Sequence, residues 1–117
     1  MKKYSSHSIK GRLDSLVGSF YRSKPCEKCG STLYVQWVHI FSRRYLSVRW
    51  HKLNNLSLCA GCHRWAHDQP TAFTQWIDHK YPDRLEALNN VFRTKSEMNK
   101  WQMEDLLEEK RKELINV

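Results

Sequence analysis

Two pairs of cysteines, each in a C-x2-C arrangement, constrain this chain more than any other feature of its sequence. Cys26 and Cys29 lie in "PCEKCG", Cys59 and Cys62 lie in "LCAGCHRWAH", and the 29 residues 30–58 separate the pairs. Four thiolates complete a tetrahedral zinc site without an open position, so the spacing predicts a structural Zn²⁺ ion. Two disulfide bonds are the alternative, which a reducing compartment disfavours.

Basic residues are distributed unevenly along the chain. Residues 1–50 contain ten Lys and Arg against two Asp and Glu, whereas residues 51–117 contain ten of each. The formal net charge of +8 therefore lies entirely in the first half. Because clustered positive charge attracts polyanions and releases their counterions, nucleic acid is the expected partner.

The N-terminal segment and the hydropathy of the chain disfavour export and a membrane location. Lys2 and Lys3 are followed by no uninterrupted apolar core, and no run of about 18 apolar residues occurs. We expect a soluble protein of the cytoplasm that has no membrane partner. Nothing in the sequence indicates an oligomeric state.

The length of 117 residues predicts a single domain, 1–117, of class α+β. A basic N-terminal helix is expected in 1–24, where apolar residues recur at helical spacing after Ser8, a candidate N-cap. Residues 25–68 are expected to form a small zinc-bound core. Residues 69–117 are expected to form helices that flank this core.

Within the predicted core, β-branched and aromatic residues predict a strand over 32–41, with His39 near its end. A loop is expected over 42–50, followed by a second strand over 51–58. Hairpin geometry would then bring the two cysteine pairs together. A helix is expected from Cys59 to about residue 66.

Capping and periodicity organise the C-terminal part. Asp68 is the expected cap of a helix whose first turn contains Pro70. The last segment places Met103 and Leu107 on one apolar face. Core positions are expected for three tryptophans in periodic segments, which are Trp37, Trp76 and Trp101.

Two histidines near the second cysteine pair have no role in a four-cysteine site. In a helix that begins at this pair, His63 and His67 stand at i and i+4 on one face. They would be close enough to share a second cation beside the zinc.

Four ordered elements, "CEKCG", "HIF", "NNLSLC" and "CAGCH", resemble the zinc-stapled form of the HNH endonucleases, also called ββα-metal or His-Me finger nucleases. The resemblance covers about residues 26–67. The longer pattern "HIFSRR…RW…NLSLCAGCHRWAH" is also similar to phage-encoded members, including recombination nucleases of the NinG type and, more distantly, endonuclease VII. A phage protein of this kind would act in the cytoplasm of its bacterial host.

The resemblance implies metal-dependent hydrolysis of DNA phosphodiester bonds, with 5′-phosphate and 3′-hydroxyl products. His39 takes the place of the general base at the end of the first strand. Asn55, or Asn54 in the alternative register, takes the place of the asparagine that holds the loop carrying the base. His63 takes the place of a ligand to the catalytic ion, expected to be Mg²⁺ or Mn²⁺ with other divalent ions as alternatives.

Val38 departs from the family pattern. Many relatives have Asp or His directly before the general base, as a second ligand of the catalytic ion. The ion would then be held by His63 with water and phosphate, or would gain His67 as a second protein ligand.

Four arginines are candidate contacts to DNA phosphates. Arg43, Arg44 and Arg49 lie between the expected base and the second cysteine pair, interleaved with aromatic residues. Arg64 is assigned to the same surface, and a solvated basic face is the alternative.

Two other functions compete with the nuclease. A catalytically inactive zinc module would bind DNA or a protein partner, with Val38 marking the loss of the catalytic site. A structural adaptor would dock through its C-terminal helices and bind no nucleic acid.

Overall fold

A computed structural model describes residues 7–94 and 97–115 of the chain. Within these ranges six α-helices and one short 3-10 helix surround a two-stranded antiparallel sheet. The predicted α+β class is confirmed. In the same ranges, no helix combines the length and the apolar character that crossing a bilayer would require.

Helix α1 (Ile9–Arg22) follows the predicted periodicity. Ser8 is its N-cap, and the Ser8 hydroxyl oxygen accepts a hydrogen bond from the backbone N–H of Gly11 at 3.0 Å. Leu13 and Val17, one turn apart, are fully buried. The face that carries them packs against the sheet and the last helix.

The sheet is a hairpin of β1 (Val35–His39) and β2 (Asn55–Cys59). Val35 lies opposite Cys59, so the second cysteine pair begins beside the start of β1. At the other end, His39 lies opposite Asn55. The hairpin therefore separates the cysteines from His39 by the length of one five-residue strand.

The predicted loop over 42–50 contains a short helix, α2 (Leu46–Arg49). Val48 and Trp50 are both fully buried. Because burying these two apolar side chains is favourable, the segment forms one helical turn in place of the predicted loop.

The predicted second strand over 51–58 begins later than expected. Its first part is a 3-10 helix (Lys52–Asn54). His51 caps this turn, because its Nδ1 accepts a hydrogen bond from the backbone N–H of Leu53 at 3.1 Å. This local hydrogen bond gives the backbone an alternative to strand pairing, so the strand begins only after the turn.

The helices after the sheet are α3 (Ala60–Asp68), α4 (Pro70–Lys80), α5 (Arg84–Thr94) and α6 (Lys100–Ile115). Asp68 is the last residue of α3, so its predicted role as a cap is wrong. The N-cap of α4 is Gln69, which makes no side-chain capping bond, and Pro70 is the first helical residue as predicted.

Two apolar clusters lie on opposite faces of the hairpin, because strand side chains alternate between faces. The first joins α1, α6 and Trp50, and Trp37 packs against it. The second joins Val38 and β2 to α3 and α4. Trp101 is 74% exposed, so its predicted core position is wrong. Trp101 lies two residues before the buried Met103, and this spacing places the two side chains on opposite sides of α6.

Candidate active site and metal centre

The four cysteines form one cluster. Their sulfur atoms all lie within 4.8 Å of one another, and the Sγ atoms of Cys29 and Cys59 are 3.6 Å apart. None of the four is in a disulfide bond in this structure. A tetrahedral ion with metal–sulfur bonds of about 2.3 Å separates its sulfurs by about 3.8 Å. The cluster therefore has the donor set and the spacing to hold a metal ion.

Both cysteine pairs have the same local geometry. The backbone N–H of Cys29 donates to Cys26 Sγ at 3.5 Å, and that of Cys62 donates to Cys59 Sγ at 3.4 Å. Burial opposes ionisation of Cys26, but backbone hydrogen bonds, from Cys29 first, outweigh burial and lower its pKa to about 6. Burial and hydrogen bonds with the other thiols raise the pKa of Cys62. Without a bound ion, Cys26 therefore loses its proton more readily than Cys62.

Glu27, inside the first cysteine pair, fixes that pair to the rest of the fold. Its Oε2 accepts from the backbone N–H of Ser57 at 2.5 Å, and its Oε1 accepts from the Tyr81 hydroxyl at 2.5 Å. The first pair is thus held to β2 and to the C-terminal end of α4. Sequence reasoning missed Glu27, because its partners are 30 and 54 residues away.

His63 and His67 lie one turn apart on α3, as the spacing predicts. Their Nε2 atoms are 3.1 Å apart. Two imidazole nitrogens bound at about 2.0–2.1 Å to one ion are separated by about 2.9 Å at a right angle and about 3.4 Å at the tetrahedral angle. The observed separation lies between these values, so the pair fits a shared divalent ion.

Gln36 on β1 orients the His63 ring, and sequence reasoning missed it. Its Oε1 lies 2.5 Å from His63 Nδ1 and accepts the Nδ1 proton, which leaves the lone pair of His63 on Nε2. Burial lowers the pKa of His63, and the neighbouring His67 lowers it further. A hydrogen bond of this kind fixes the tautomer of a metal-binding histidine. The only signal in the sequence is a polar residue between the apolar residues Val35 and Trp37.

His39 ends β1, and its ring packs against Trp37 with ring centroids 4.5 Å apart. Burial lowers its pKa from 6.5 to about 4, and the positive charges of Arg49 and Arg43 act in the same direction. The ring is therefore neutral near pH 7.

The lone pair of the neutral His39 ring is assigned from the surroundings of the ring. Its Nε2 is buried and has no hydrogen-bond partner within the described part of the chain. The Arg49 backbone raises the pKa of the ring, against the larger effect of burial. We assign the proton of the neutral ring to Nδ1 and a free lone pair to Nε2.

One cleft of about 220 Å³ brings the three histidines together. His39 lines it with His63 and His67, and its other walls are largely apolar and include Val38 and Phe73. Val38 is 3% exposed and belongs to the second apolar cluster. Among the described residues, the four cysteines are the only group of three or more His, Cys, Asp or Glu placed to hold an ion. The cleft therefore offers an ion two protein ligands.

The two asparagines before and at the start of β2 have different contacts. The Asn54 side chain accepts from the backbone N–H of Phe41 at 2.6 Å and donates to its carbonyl at 3.2 Å. Asn55 instead accepts from the Trp37 indole at 2.5 Å and donates to the His51 carbonyl at 2.7 Å. Asn54, the alternative in register, therefore holds the loop that follows His39, in place of Asn55.

The predicted DNA contacts separate into exposed and buried residues. Arg49 is 3% exposed and makes an ion pair with Asp14 at 2.6 Å, so its assignment to a DNA-binding surface is corrected. Arg44 is exposed, and Arg43 is half-buried near His39. Arg64 is exposed and pairs with Asp68 at 3.8 Å on the same helix.

No family model matches the chain, and no curated protein or solved structure is similar enough to count as a match. The chemistry of the cleft is therefore inferred from its own residues.

Proposed function

We propose that the chain is a metal-dependent DNA endonuclease of the HNH type. The observation that carries the proposal is the cleft in which a neutral His39 with a free Nε2 lone pair lies with the His63 and His67 pair. A base beside a divalent-ion site is the arrangement that phosphodiester hydrolysis needs. The order β1, β2, α3 and the resemblance of 26–67 to HNH nucleases support the same function.

His39 is the proposed general base. A neutral imidazole with its proton on Nδ1 takes a proton from water at Nε2. An unpaired buried nitrogen costs stability, which is expected of a group kept for function.

His63 and His67 are the proposed ligands of the catalytic ion. When bound, a divalent ion such as Mg²⁺ or Mn²⁺ supplies positive charge to the scissile phosphate and the leaving oxygen. Gln36 holds the His63 lone pair toward His67, and apolar side chains line most of the rest of the cleft. Two histidine ligands leave the remaining positions for water and phosphate.

The cysteine cluster is the proposed site of a structural Zn²⁺ ion. Cys59 is the N-cap of α3 and Cys62 lies in its first turn, so an ion there would fix the start of the helix that carries both histidines. Four thiolates leave no open coordination position, and we therefore assign the cluster no step in the reaction.

DNA is the proposed substrate because the first half of the chain is strongly basic and one of its arginines, Arg43, lies near His39. Arg43 is close enough to His39 to lower its pKa, and a phosphate at that position would experience the same positive potential. Arg44 and Arg64 are exposed candidates for contacts to the DNA backbone. Arg49 is omitted from this surface because it is buried.

A second function is supported by Val38. Val38 is buried in the apolar core and cannot serve as a third protein ligand of the ion. A module that retained the fold and had lost catalysis would have such an apolar residue at this position. Such a module would bind DNA with an affinity that falls with salt and would cut no strand.

Nicking of supercoiled plasmid separates the two functions. The purified zinc-loaded protein, its His39→Ala variant and its His79→Ala variant are compared with Mg²⁺, with Mn²⁺ and without either ion. His79 is an exposed histidine of α4 and is therefore the matched control. We expect ion-dependent nicking by wild type and His79→Ala, and its loss in His39→Ala.

Two results would contradict the proposal. Nicking by His39→Ala at the rate of wild type would remove the proposed base. No nicking by a wild-type protein that retains zinc and shifts DNA in a gel would favour the binding module.

A further inference from the structure

A second pocket lies beside the cleft that contains the three histidines. It is bounded by α4, α5 and the two residues that follow β1. Its volume of about 610 Å³ falls within the range of about 300–1,000 Å³ that is usual for sites of small organic ligands. Ile40, Pro70 and Phe73 line both the pocket and the cleft, so the two spaces are adjacent. A substrate that occupies the cleft therefore has the pocket next to it.

Aromatic and aliphatic side chains make up most of the pocket. Phe41 and Phe73 both line it. The N–H and the carbonyl of Phe41 are bonded to the Asn54 side chain, and the Phe41 ring contacts Phe92 edge-to-face with centroids 5.2 Å apart. The Phe73 ring is nearly parallel to that of Trp76, at an interplanar angle of 16°. Two rings held by neighbours in this way provide a preformed apolar surface for a flat ligand.

The polar side chains of the pocket disfavour phosphate and suit the edge of a nucleobase. Glu86 and Asn89 lie one turn apart on α5, and both line the pocket. Among the described residues that line it, none is Lys or Arg. The Glu86 carboxylate repels a phosphate, but it accepts hydrogen bonds from the amino groups of cytosine, adenine or guanine. The part of a DNA strand that fits the pocket is therefore a base and not the backbone.

We propose that this pocket binds an unpaired base of the DNA strand whose phosphate lies in the cleft, and this inference rests on the nuclease function proposed above. A base within a duplex must be unpaired and unstacked before it enters such a pocket, which is energetically costly, whereas an already unpaired base avoids this cost. The substrate class is therefore DNA with an unpaired nucleotide next to the scissile phosphate. Thymine is the least favoured base, because it has no amino group for Glu86 to accept.

The test measures binding without cleavage. Fluorescence anisotropy of the zinc-loaded protein, without added Mg²⁺ or Mn²⁺, gives dissociation constants for a short single-stranded oligonucleotide and for the same strand in a duplex. Phe41→Leu removes the ring and keeps an apolar side chain, together with the backbone groups that Asn54 binds. Phe20→Leu is the matched control, because Phe20 is also half-buried and also contacts an aromatic ring edge-to-face, that of Tyr21 at 5.3 Å.

We expect Phe41→Leu to bind the single strand about 10-fold more weakly than wild type, because one base loses its stacking partner. Binding of the duplex should be unchanged, and Phe20→Leu should bind both forms as wild type does. With Mg²⁺ or Mn²⁺ added, kcat/KM for the single strand should fall by the same factor in Phe41→Leu.

The preference among bases tests the polar edge of the pocket with an exposed residue, whose replacement leaves the core intact. Wild type should bind an oligonucleotide of deoxycytidines more tightly than one of thymidines. Glu86→Gln should reduce this difference, because the new amide also donates to O4 of thymine. Asp78→Asn is the control, because it also removes one exposed carboxylate but lies outside the pocket, and it should keep the difference.

Three outcomes decide the inference. Wild-type affinity of a folded Phe41→Leu for the single strand, or the same ratio of cytosine to thymine binding in Glu86→Gln as in wild type, would overturn it and leave the nuclease standing. Weaker single-strand binding by Phe41→Leu, together with a wild type that cuts no DNA, would support the base pocket and overturn the nuclease instead. A wild-type dimer in analytical ultracentrifugation that Phe41→Leu dissociates would assign the pocket to a second copy of the chain and overturn the inference.

Discussion

At the residue scale, the site depends on which nitrogen of each histidine keeps a lone pair. Gln36 decides this for His63, because its side-chain oxygen lies 2.5 Å from Nδ1 and leaves the lone pair on Nε2. For His39 we assign the lone pair to Nε2, which is buried and has no hydrogen-bond partner among the described residues. In both rings the lone pair is thus assigned to Nε2.

Asn54 and Asn55 provide a matched pair for testing which asparagine orients the loop after His39. Both are buried and both make two side-chain hydrogen bonds. Replacing either with Ala should lower the free energy of unfolding by about 1–3 kcal/mol, because each leaves polar groups unpaired. Only Asn54→Ala should also lower the nicking rate, on the order of 10²-fold, because Asn54 alone bonds to Phe41.

Urea unfolding and the plasmid assay, at a temperature at which both variants are folded, measure the two effects. A greater loss of activity in Asn55→Ala than in Asn54→Ala would return the orienting role to Asn55.

Gln36 should determine the affinity of the cleft for a divalent ion. Gln36→Leu removes the acceptor at His63 Nδ1 and should weaken Mn²⁺ binding about 10–100-fold. Gln36→Glu retains an acceptor oxygen and should bind Mn²⁺ at least as tightly as wild type. Electron paramagnetic resonance titration of the zinc-loaded protein gives the dissociation constants. Equal constants for Gln36→Leu and wild type would show that the contact does not orient the ring for an ion.

At the element scale, the hairpin lies between the two apolar clusters. Trp37 lies on the face of β1 toward α1, whereas Gln36 and Val38 lie on the face toward α3. The proposed base is on β1 and the proposed ion ligands are on α3. They come together at the end of β1, where His39 lines the cleft with both α3 histidines.

Gly18 sets the distance between α1 and the hairpin. A Cβ atom there would lie 2.9 Å from Cε3 of the Trp37 ring and from the Arg22 guanidinium. Gly18→Ala should therefore lower the free energy of unfolding by about 1–3 kcal/mol through overpacking, although Ala has the higher helix propensity. Gly61 lies in α3 with no atom within 4 Å of such a Cβ, so Gly61→Ala should stabilise the protein by up to about 1 kcal/mol.

Thermal or urea unfolding of both glycine variants measures the contrast. Stabilisation by Gly18→Ala equal to that by Gly61→Ala would mean that α1 does not approach the hairpin this closely.

At the scale of the whole molecule, a sheet of two five-residue strands is too small to organise this many helices alone. The cysteine cluster compensates by joining the 26–30 turn, β2 and α3 at one point. Glu27 extends the connection to α4. The stability of the second apolar cluster therefore depends on the metal ion that we propose for the cysteines.

Removal of Zn²⁺ should unfold the zinc-loaded protein. Structural zinc sites bind with about 10–16 kcal/mol, which is comparable to the whole unfolding free energy of about 5–15 kcal/mol for a typical domain. Far-ultraviolet circular dichroism during titration with a high-affinity chelator should show loss of helix, restored by Zn²⁺ and not by Mg²⁺. Cys59→Ser should be unfolded at room temperature for the same reason. An unchanged spectrum after complete chelation would contradict the zinc assignment.

The sequence by itself determined the features that depend on residues close together in the chain. Helical periodicity predicted α1 and α6, and the i and i+4 spacing predicted that His63 and His67 share a face. In these cases the period belongs to one helix, so no knowledge of distant contacts was needed. The two cysteine pairs are separated by 29 residues, and the sequence predicted their cluster because four thiolates make up a complete zinc site.

Only the tertiary structure decided the roles that depend on residues far apart. Arg49 is buried against Asp14, 35 residues away, and Gln36 meets His63, 27 residues away. The choice between Asn54 and Asn55 was equally inaccessible, because neighbouring residues on a strand face opposite sides and one position of register exchanges their partners. Charge and spacing show which residues can contact DNA or an ion, and packing decides which of them reach the surface or the cleft.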